Sequence, residues 1–285
     1  DLWTPDYRMP MRNSLLWVYE GQTQFWGYVL AARSGMLSKQ QVLDALAIVA
    51  ASLDTRAGRN WRPLIDTTND PVLSARRPKP WVSWQRSEDY YNEGLLVWLD
   101  ADAKLRELTR GRRSIDDFAR AFFGGRDGDY GEVTYTFDDV VATLNGIAPY
   151  DWAAFLNERL YATSDHAPLD GVTRNGYRLT YTDTPTPYFR NMESERGIAD
   201  HSYSIGLVVG RGGNISSVAW DSPAFAAGLD DADDILAVNG MEYSADRLKD
   251  AIVAAATGTD PIRLTIKSGN RLRFQASYYH YDYKT

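Results

Sequence analysis

Cysteine is absent from this sequence, so the chain can form neither disulfide bonds nor thiolate metal sites. Histidine is scarce, with three residues in 285. No apolar run approaches the roughly 18 residues that a membrane-spanning helix needs. The net charge of −7 argues against a dedicated nucleic-acid or anionic-membrane binder. We therefore expect a protein with no membrane span and no nucleic-acid partner.

Apolar residues make up 44% of the chain and aromatic residues 13%, which is ample for packed cores. A chain of 285 residues is long enough for two domains of ordinary size. The sequence begins at Asp1 rather than Met, and its first ten residues are loop-like. We therefore expect the chain to be the C-terminal part of a longer protein, with any targeting signals upstream.

The first half of the chain has a helical pattern. Ser14 is the expected N-cap of a helix that runs to Arg33, with Gly35 as its C-terminal stop. Pairs spaced as capping boxes predict three further helix starts: Ser38 with Gln41, Ser114 with Asp117, and Thr136 with Asp139. Helices are expected over about 39–52, 88–109, 116–123, 138–144 and 150–161. Residues 55–86, rich in proline, are predicted as a long loop.

The second half has a different character. The apolar period shortens towards two over 169–189, and strands are expected over 203–209 and 215–219 around the glycine-rich turn 210–214. Ser244 is expected to cap a helix that runs to about Ala256, and 261–267 with 271–279 are expected to form a hairpin. The fold class predicted is multidomain α+β, with domains over 1–195 and 196–285.

Glu20 is the most informative single residue. It lies in residues 16–26, which read Leu-Trp-Val-Tyr-Glu-Gly-Gln-Thr-Gln-Phe-Trp, an apolar and aromatic helical run. A carboxylate in such a setting is costly unless it is paired or binds a metal. The Trp17-x-x-Glu20-Gly21 pattern resembles the third zinc ligand of gluzincin metallopeptidases. The HExxH motif that supplies the other ligands is absent, and the alternative is that Glu20 lies on a solvated stripe beside Gln24.

A tyrosine pair follows later in the chain. Asp89-Tyr-Tyr-Asn-Glu-Gly94, expected on a helix, resembles a Tyr-x-x-Gly segment of aminopeptidase N-like gluzincins, whose tyrosine donates to the oxyanion of the tetrahedral intermediate. By that spacing Tyr91 is the candidate and Tyr90 its rival. The family usually has lysine before the glycine, where this chain has Glu93. The alternative is that both tyrosines pack in a core.

The last third of the chain carries a second resemblance. Ser222-Pro-Ala-x-x-Ala-Gly-Leu229 and Asp233-x-Ile-Leu-Ala-Val-Asn-Gly240 resemble a bacterial-type PDZ domain, with Ala232 where glycine is usual. Such domains bind an extended peptide C-terminus by strand addition and hold its carboxylate with backbone N–H groups. By resemblance that loop contains Ile205, Gly206 and Leu207. The alternative is a groove that is blocked, or a domain that only supports its neighbour.

Taken in order, these motifs resemble the glycyl aminopeptidase family of gluzincin zinc metallopeptidases with a C-terminal PDZ domain. The resemblance implies a mainly α-helical gluzincin C-terminal domain followed by a PDZ-type β-sandwich or barrel. It implies peptide substrates, from which small N-terminal residues such as glycine or alanine are removed, with zinc as the cofactor of the full-length enzyme. Glu20 would be a metal ligand, Tyr91 or Tyr90 an oxyanion donor, and an upstream Glu the base. The family alone favours export to the periplasm.

The chain as given lacks most of such a centre. No histidine precedes Glu20, and His166, His201 and His280 lie far from one another in the sequence, so each is expected to be a surface or packing residue. We therefore expect this chain to bind no zinc and to be inactive. A rival hypothesis is a non-catalytic PDZ protein that binds peptide C-termini on a degenerate peptidase scaffold. A purely structural helical domain would leave Glu20 unexplained.

Overall fold

A computed structural model of the chain describes residues 3–4, 6–74, 81–125, 127–131 and 133–274, and the backbone of 275–277. The fold is mixed α+β, as predicted. The helices are α1 (Leu16–Arg33), α2 (Lys39–Asp54), α3 (Leu64–Thr67), α4 (Asp70–Leu73), α5 (Val82–Gln85), α6 (Asn92–Thr109), α7 (Ile115–Phe122), α8 (Phe137–Ile147), α9 (Trp152–Tyr161), α10 (Asp170–Arg174), α11 (Pro187–Arg196), α12 (Pro223–Ala226) and α13 (Ala245–Thr257), with a 3-10 turn at Ala57–Asn60. The strands are β1 (Ile198–His201), β2 (Leu207–Gly210), β3 (Ile215–Val218), β4 (Asp233–Val238), β5 (Met241–Glu242), β6 (Ile262–Ser268) and β7 (Arg271–Ser277).

The described residues divide into two compact units. Unit 1 contains the residues up to 180, apart from two short segments, 55–57 and 81–85. Unit 2 contains those two segments and the residues from 181 onwards. Within the described ranges, no helix is both long enough and apolar enough to cross a bilayer.

Unit 1 is helical, and its core is formed mainly by α1 and α6, which pack directly against each other. Trp17 of α1 stacks on Trp98 of α6 with 5.5 Å between ring centroids, and both side chains are fully buried. The Trp98 Nε1–H group also donates to the Trp17 carbonyl at 3.0 Å. Buried aromatic rings contribute large apolar areas, and this pair joins the two longest helices of unit 1.

Local capping signals in the sequence predicted several of these helices correctly. The capping boxes at Ser114 and Thr136 are both formed, and they start α7 and α8. The reciprocal bonds between Ser38 and Gln41 are present at the start of α2. The Ser244 side chain accepts the Arg247 N–H and caps α13. These predictions succeed because each depends on residues three positions apart.

Three predictions for the first half of the chain are wrong. The predicted loop 55–86 contains the short helices α3, α4 and α5, while 75–80 lie outside the described residues. α6 begins at Asn92 and not at Glu88, because Arg86 and Glu88 have positive φ (56° and 53°), which a right-handed helix does not allow. α1 begins at Leu16, with Leu15 rather than Ser14 in the N-cap position.

The stretch 169–189, in which the apolar period shortens towards two, forms no strand. Its first residues form α10, its last begin α11, and 177–182 have no regular structure. Alternation alone does not make a strand, since a strand needs a partner for its backbone groups. No strand pairs with 177–182 in the described part of the chain.

Unit 2 contains two antiparallel sheets, with strand orders β1-β2-β3 and β5-β4-β6-β7. The β6–β7 hairpin is confirmed through Ser277, beyond which the prediction lies outside the described residues. The predicted strand 203–209 begins only at Leu207, and its first residues form a turn after β1. α13 covers the second sheet and buries Leu248 and Ile252 against it.

Candidate functional site

α1 and α6 approach each other most closely at two glycines. A Cβ atom on Gly21 would lie 2.8 Å from the backbone carbonyl carbon of Gly94. A Cβ atom on Gly94 would lie 2.9 Å from the Gly21 Cα. These distances are shorter than any ordinary carbon contact, so neither position has room for a side chain. The crossing therefore depends on the absence of a side chain at both positions.

This crossing brings Glu20 and Tyr91 together. The Tyr91 hydroxyl donates to Glu20 Oε1 at 2.9 Å. Glu20 lies on the middle of α1 and is half-buried, so it is neither fully enclosed nor on an open solvated stripe. Tyr91 occupies the N-cap position of α6, in the turn before the helix and not on it. Tyr90 is 1% exposed in the hydrophobic core, and its ring packs 4.9 Å from that of Tyr91.

A buried ion network lies behind the Tyr91 turn. Arg59 donates from Nη2 to Glu93 Oε1 at 2.8 Å and from Nε to Glu93 Oε2 at 3.1 Å. Arg86 donates from Nη2 to the same Oε2 and from Nε to Asp89 Oδ2, the latter at 2.7 Å. Glu93, which stands where the family that the motifs resemble usually has lysine, is therefore held by two arginines and does not face solvent.

The network continues into a third ion pair. Arg62 donates to Asp70 Oδ1 at 2.8 Å, and Arg86 Nη1 donates to the Arg62 carbonyl at 2.6 Å. The backbone N–H of Glu88 donates to Asp70 Oδ2. These bonds hold both left-handed residues of the turn, Arg86 and Glu88. Three arginines and three carboxylates, all less than 9% exposed, balance in formal charge: Arg59, Arg62, Arg86, Asp70, Asp89 and Glu93.

The sequence did not predict this network. Its members are separated by up to 34 positions, and the predicted loop 55–86 contained four of them. A signal was present, since arginines within a tryptophan- and proline-rich stretch close to acidic residues are unusual for a solvated loop. The network fixes the turn from which Tyr91 projects, and therefore the orientation of its hydroxyl.

Glu20 offers a single carboxylate to a metal ion. Among the residues that the structure describes, no three His, Cys, Asp or Glu side chains form a group that could hold a metal. Carboxylate oxygen is an ordinary zinc ligand, but a catalytic zinc site takes three protein ligands. Glu20 could therefore supply at most one ligand of such a site, and any further ligands would have to come from outside the described residues.

The loop with Ile205, Gly206 and Leu207 lies in unit 2. The N–H groups of Ile205 and Gly206 donate to the His201 carbonyl at 3.2 and 3.0 Å, and the Ser204 N–H donates to it at 3.2 Å. Gly206 has φ 73°, and a Cβ atom there would lie 2.1 Å from Ser222 Cβ. The loop therefore requires glycine at this position, both for its backbone conformation and for space.

His201 is enclosed next to this loop. Burial lowers the pKa of the His201 imidazole to about 4, with Asp200 of β1 raising it and Lys249 of α13 lowering it. Its Nε2 atom is buried and has no hydrogen-bond partner within the described part of the chain. The folded unit therefore holds this histidine in its neutral form at neutral pH.

We expect acid to destabilise unit 2 through His201. In the unfolded chain His201 is protonated below its ordinary pKa of 6.5, whereas in the folded unit it is protonated only below about pH 4. The free energy of unfolding should therefore fall by about 1–3 kcal/mol between these pH values. Urea unfolding followed by methyl NMR signals of unit 2 would measure it.

The matched control is His201→Gln, which cannot titrate. Burial raises the pKa of Glu193, which has the opposite effect on stability as the pH falls. Glu193 is present in both proteins, so the difference between wild type and variant isolates His201. An equal pH dependence in the two proteins would contradict the prediction.

Comparison with known proteins adds to this geometry. Residues 1–97 match the family model of the M61 glycyl aminopeptidases, and the matched segment contains both Glu20 and Tyr91. The fold resembles the crystal structure of an aminopeptidase N family protein from Idiomarina loihiensis, with a TM-score of 0.68 and 16% sequence identity. The similarity covers 97% of this chain and 46% of that one, so the chain spans less than half of that protein. Among curated proteins, none matches the sequence.

Proposed function

We propose, from the match of residues 1–97 to the M61 glycyl aminopeptidase family model, that this chain belongs to that family and is the C-terminal portion of a zinc-dependent aminopeptidase. The complete enzyme would remove small N-terminal residues such as glycine or alanine from peptides. This portion would contribute one metal ligand and one hydrogen-bond donor. Alone it would be inactive and free of zinc.

The observation that carries the proposal is the hydrogen bond between Tyr91 and Glu20. A metal ligand and an oxyanion donor must both lie next to the reacting carbonyl, so the two side chains must be neighbours. The two residues are 71 positions apart in sequence, and only the α1–α6 crossing joins them. Tyr90, with its ring in the core, is less suited to this role than Tyr91.

Each residue has a distinct part in the proposed chemistry. A bound zinc ion would polarise the substrate carbonyl and activate a water molecule. Glu20 would hold one side of the metal with its carboxylate. Tyr91 would direct its hydroxyl proton at the oxygen on which negative charge develops, and the buried network would keep the tyrosine from turning away.

Two substitutions in the full-length protein test this proposal. Tyr91→Phe should lower kcat for a glycine or alanine anilide by about 100- to 1000-fold, because an oxyanion donor acts mainly in the transition state. Its zinc content should stay unchanged. Glu20→Gln should lower both zinc content and activity. Activity assays and metal analysis of the purified variants would measure these effects.

Tyr90→Phe is the matched control. It removes the neighbouring hydroxyl and should leave kcat within a few-fold of wild type. Full activity in Tyr91→Phe, or full zinc occupancy in Glu20→Gln, would refute the corresponding role. A Tyr90→Phe defect as large as that of Tyr91→Phe would transfer the donor role to Tyr90.

We also propose that unit 2 is a PDZ-type domain. Its motifs at 222–229 and 233–240, its two antiparallel sheets and the loop that requires glycine at position 206 support this assignment. A non-catalytic peptide-binding role for the whole chain is the second candidate. This role requires an accessible strand edge next to the loop that contains Gly206. Whether that edge is free or already paired therefore decides whether a peptide can bind.

A further inference from the structure

Strand β2 is paired along both of its edges. β3 lies antiparallel on one side, with Val208 opposite Ser217. β1 lies antiparallel on the other side, with His201 opposite Leu207 and Ile198 opposite Gly210. A peptide that joins a sheet by strand addition needs a free edge. Along β2 no such edge is present.

The end of β1 coincides with the loop. The His201 carbonyl accepts three backbone N–H groups, from Ser204, Ile205 and Gly206, at 3.0–3.2 Å. Converging backbone N–H groups are what captures the carboxylate of a peptide C-terminus. The carbonyl of an internal residue, His201, occupies that position here.

We infer that unit 2 is internally liganded: β1 occupies the peptide groove, and a peptide C-terminus can bind only when β1 leaves. This inference rests on the proposed PDZ-type nature of unit 2. The occupant is residues 198–201 of the chain itself, and the partner that would replace it is an extended peptide with a free carboxylate.

The connection of β1 to the rest of unit 2 is suited to release. Gly197, with φ 66°, is the single residue between α11 and β1. None of the ten residues of α11 is buried, so little apolar surface holds this helix in place. On β1 the Asp200 N–H donates to Glu193 Oε1 of α11 at 2.7 Å, which ties the strand to the helix. The two elements would therefore move together.

A resident strand competes strongly with a free peptide. It is tethered to its site, so its effective concentration is of the order of millimolar or higher. A micromolar peptide would displace it only partly. Weak binding by the wild-type chain and strong binding after release of β1 is the expected pattern.

The first test uses the chain and a labelled peptide that copies residues 196–201, Arg-Gly-Ile-Ala-Asp-His, with a free carboxylate. The Asp200 N–H group points away from β2, towards Glu193. Because backbone groups alternate in direction along a strand, the N–H and C=O groups of Ala199 and His201 point towards β2. Ala199→Pro should therefore release β1 and tighten peptide binding at least tenfold over wild type. The amidated peptide should bind this variant at least tenfold more weakly than the acid.

The second test closes the groove without proline. Asp200 and Val208 are directly opposed, about 4.5–5.5 Å apart at Cα in such a ladder, which suits a disulfide. The chain has no other cysteine, so within one molecule the pair Asp200→Cys and Val208→Cys can join only with each other. The oxidised protein should not bind the peptide, and reduction should restore binding to the wild-type level.

The outcomes separate the inference from its premise. If the oxidised double-cysteine variant binds the peptide as tightly as its reduced form, β1 does not block the groove. The inference is then wrong, while the PDZ-type assignment stands. If no protein binds the acid peptide although circular dichroism shows each to be folded, the groove is not a peptide site and the premise fails with the inference. The aminopeptidase proposal depends on Glu20 and is unaffected by either result.

Discussion

Glu93→Gln should lower the free energy of unfolding of unit 1 by about 3–5 kcal/mol. Glu93 accepts hydrogen bonds from both Arg59 and Arg86, and all three side chains are at most 4% exposed. Removal of its charge leaves two buried guanidinium groups with too few carboxylates. Water cannot solvate them at this depth, so the cost of the unpaired charge appears in stability.

Glu107→Gln is the matched control for this prediction. Glu107 lies on the same helix and pairs with Lys104 and Arg174, but its side chain is 53% exposed. Its loss should cost about 0–1 kcal/mol, because water replaces the lost partner. Urea unfolding of the three proteins, followed by tryptophan fluorescence, would measure both effects. Equal losses in the two variants would show that burial does not determine the cost.

Gly21→Ala should destabilise unit 1 by about 1–3 kcal/mol, although alanine is the better helix former. The added methyl group would meet the Gly94 backbone, which cannot rotate aside as a side chain can. α1 and α6 would have to separate. The Tyr91 hydroxyl would then move away from Glu20, so the full-length enzyme should also lose kcat.

Gly27→Ala, on the same helix, should have the opposite sign. Gly27 is exposed and nothing lies within 4 Å of its Cβ position. The substitution should stabilise α1 by about 0.5–1 kcal/mol through helix propensity alone. Thermal unfolding of both variants would give the comparison. A stabilising effect of Gly21→Ala would mean that the helices do not cross at these glycines.

Helix starts that depend on neighbouring residues were predictable from the sequence, and one that depends on distant residues was not. The starts of α2, α7, α8 and α13 were predictable because a cap and its partner lie within one turn. The start of α6 was not, because the bonds that hold Arg86 and Glu88 in the left-handed region come largely from Arg62, Asp70 and Glu93. A helical pattern in sequence does not indicate where such a network interrupts it.

In the candidate site, too, the individual residues were predictable from the sequence and the contact between them was not. Glu20 and Tyr91 were both named from their motifs, but neither motif indicates that the two side chains touch. Strand β1 was not predicted at all. Its four residues carry no clear alternation, and it becomes a strand because β2 offers an edge to it. Conversely, 177–182 alternate, but no strand in the described part of the chain pairs with them, and they remain irregular.

The charge balance around Glu93 also has an evolutionary consequence. The family that the motifs resemble usually has lysine at this position. Lysine here, with Arg59, Arg62 and Arg86 unchanged, would leave four cations against the two carboxylates Asp70 and Asp89. A change from glutamate to lysine at position 93 alone should therefore destabilise this network strongly, because it would leave buried cations without carboxylate partners. We expect positions 59, 86 and 93 to vary together among homologues, as one inherited set around a tyrosine that stays the same.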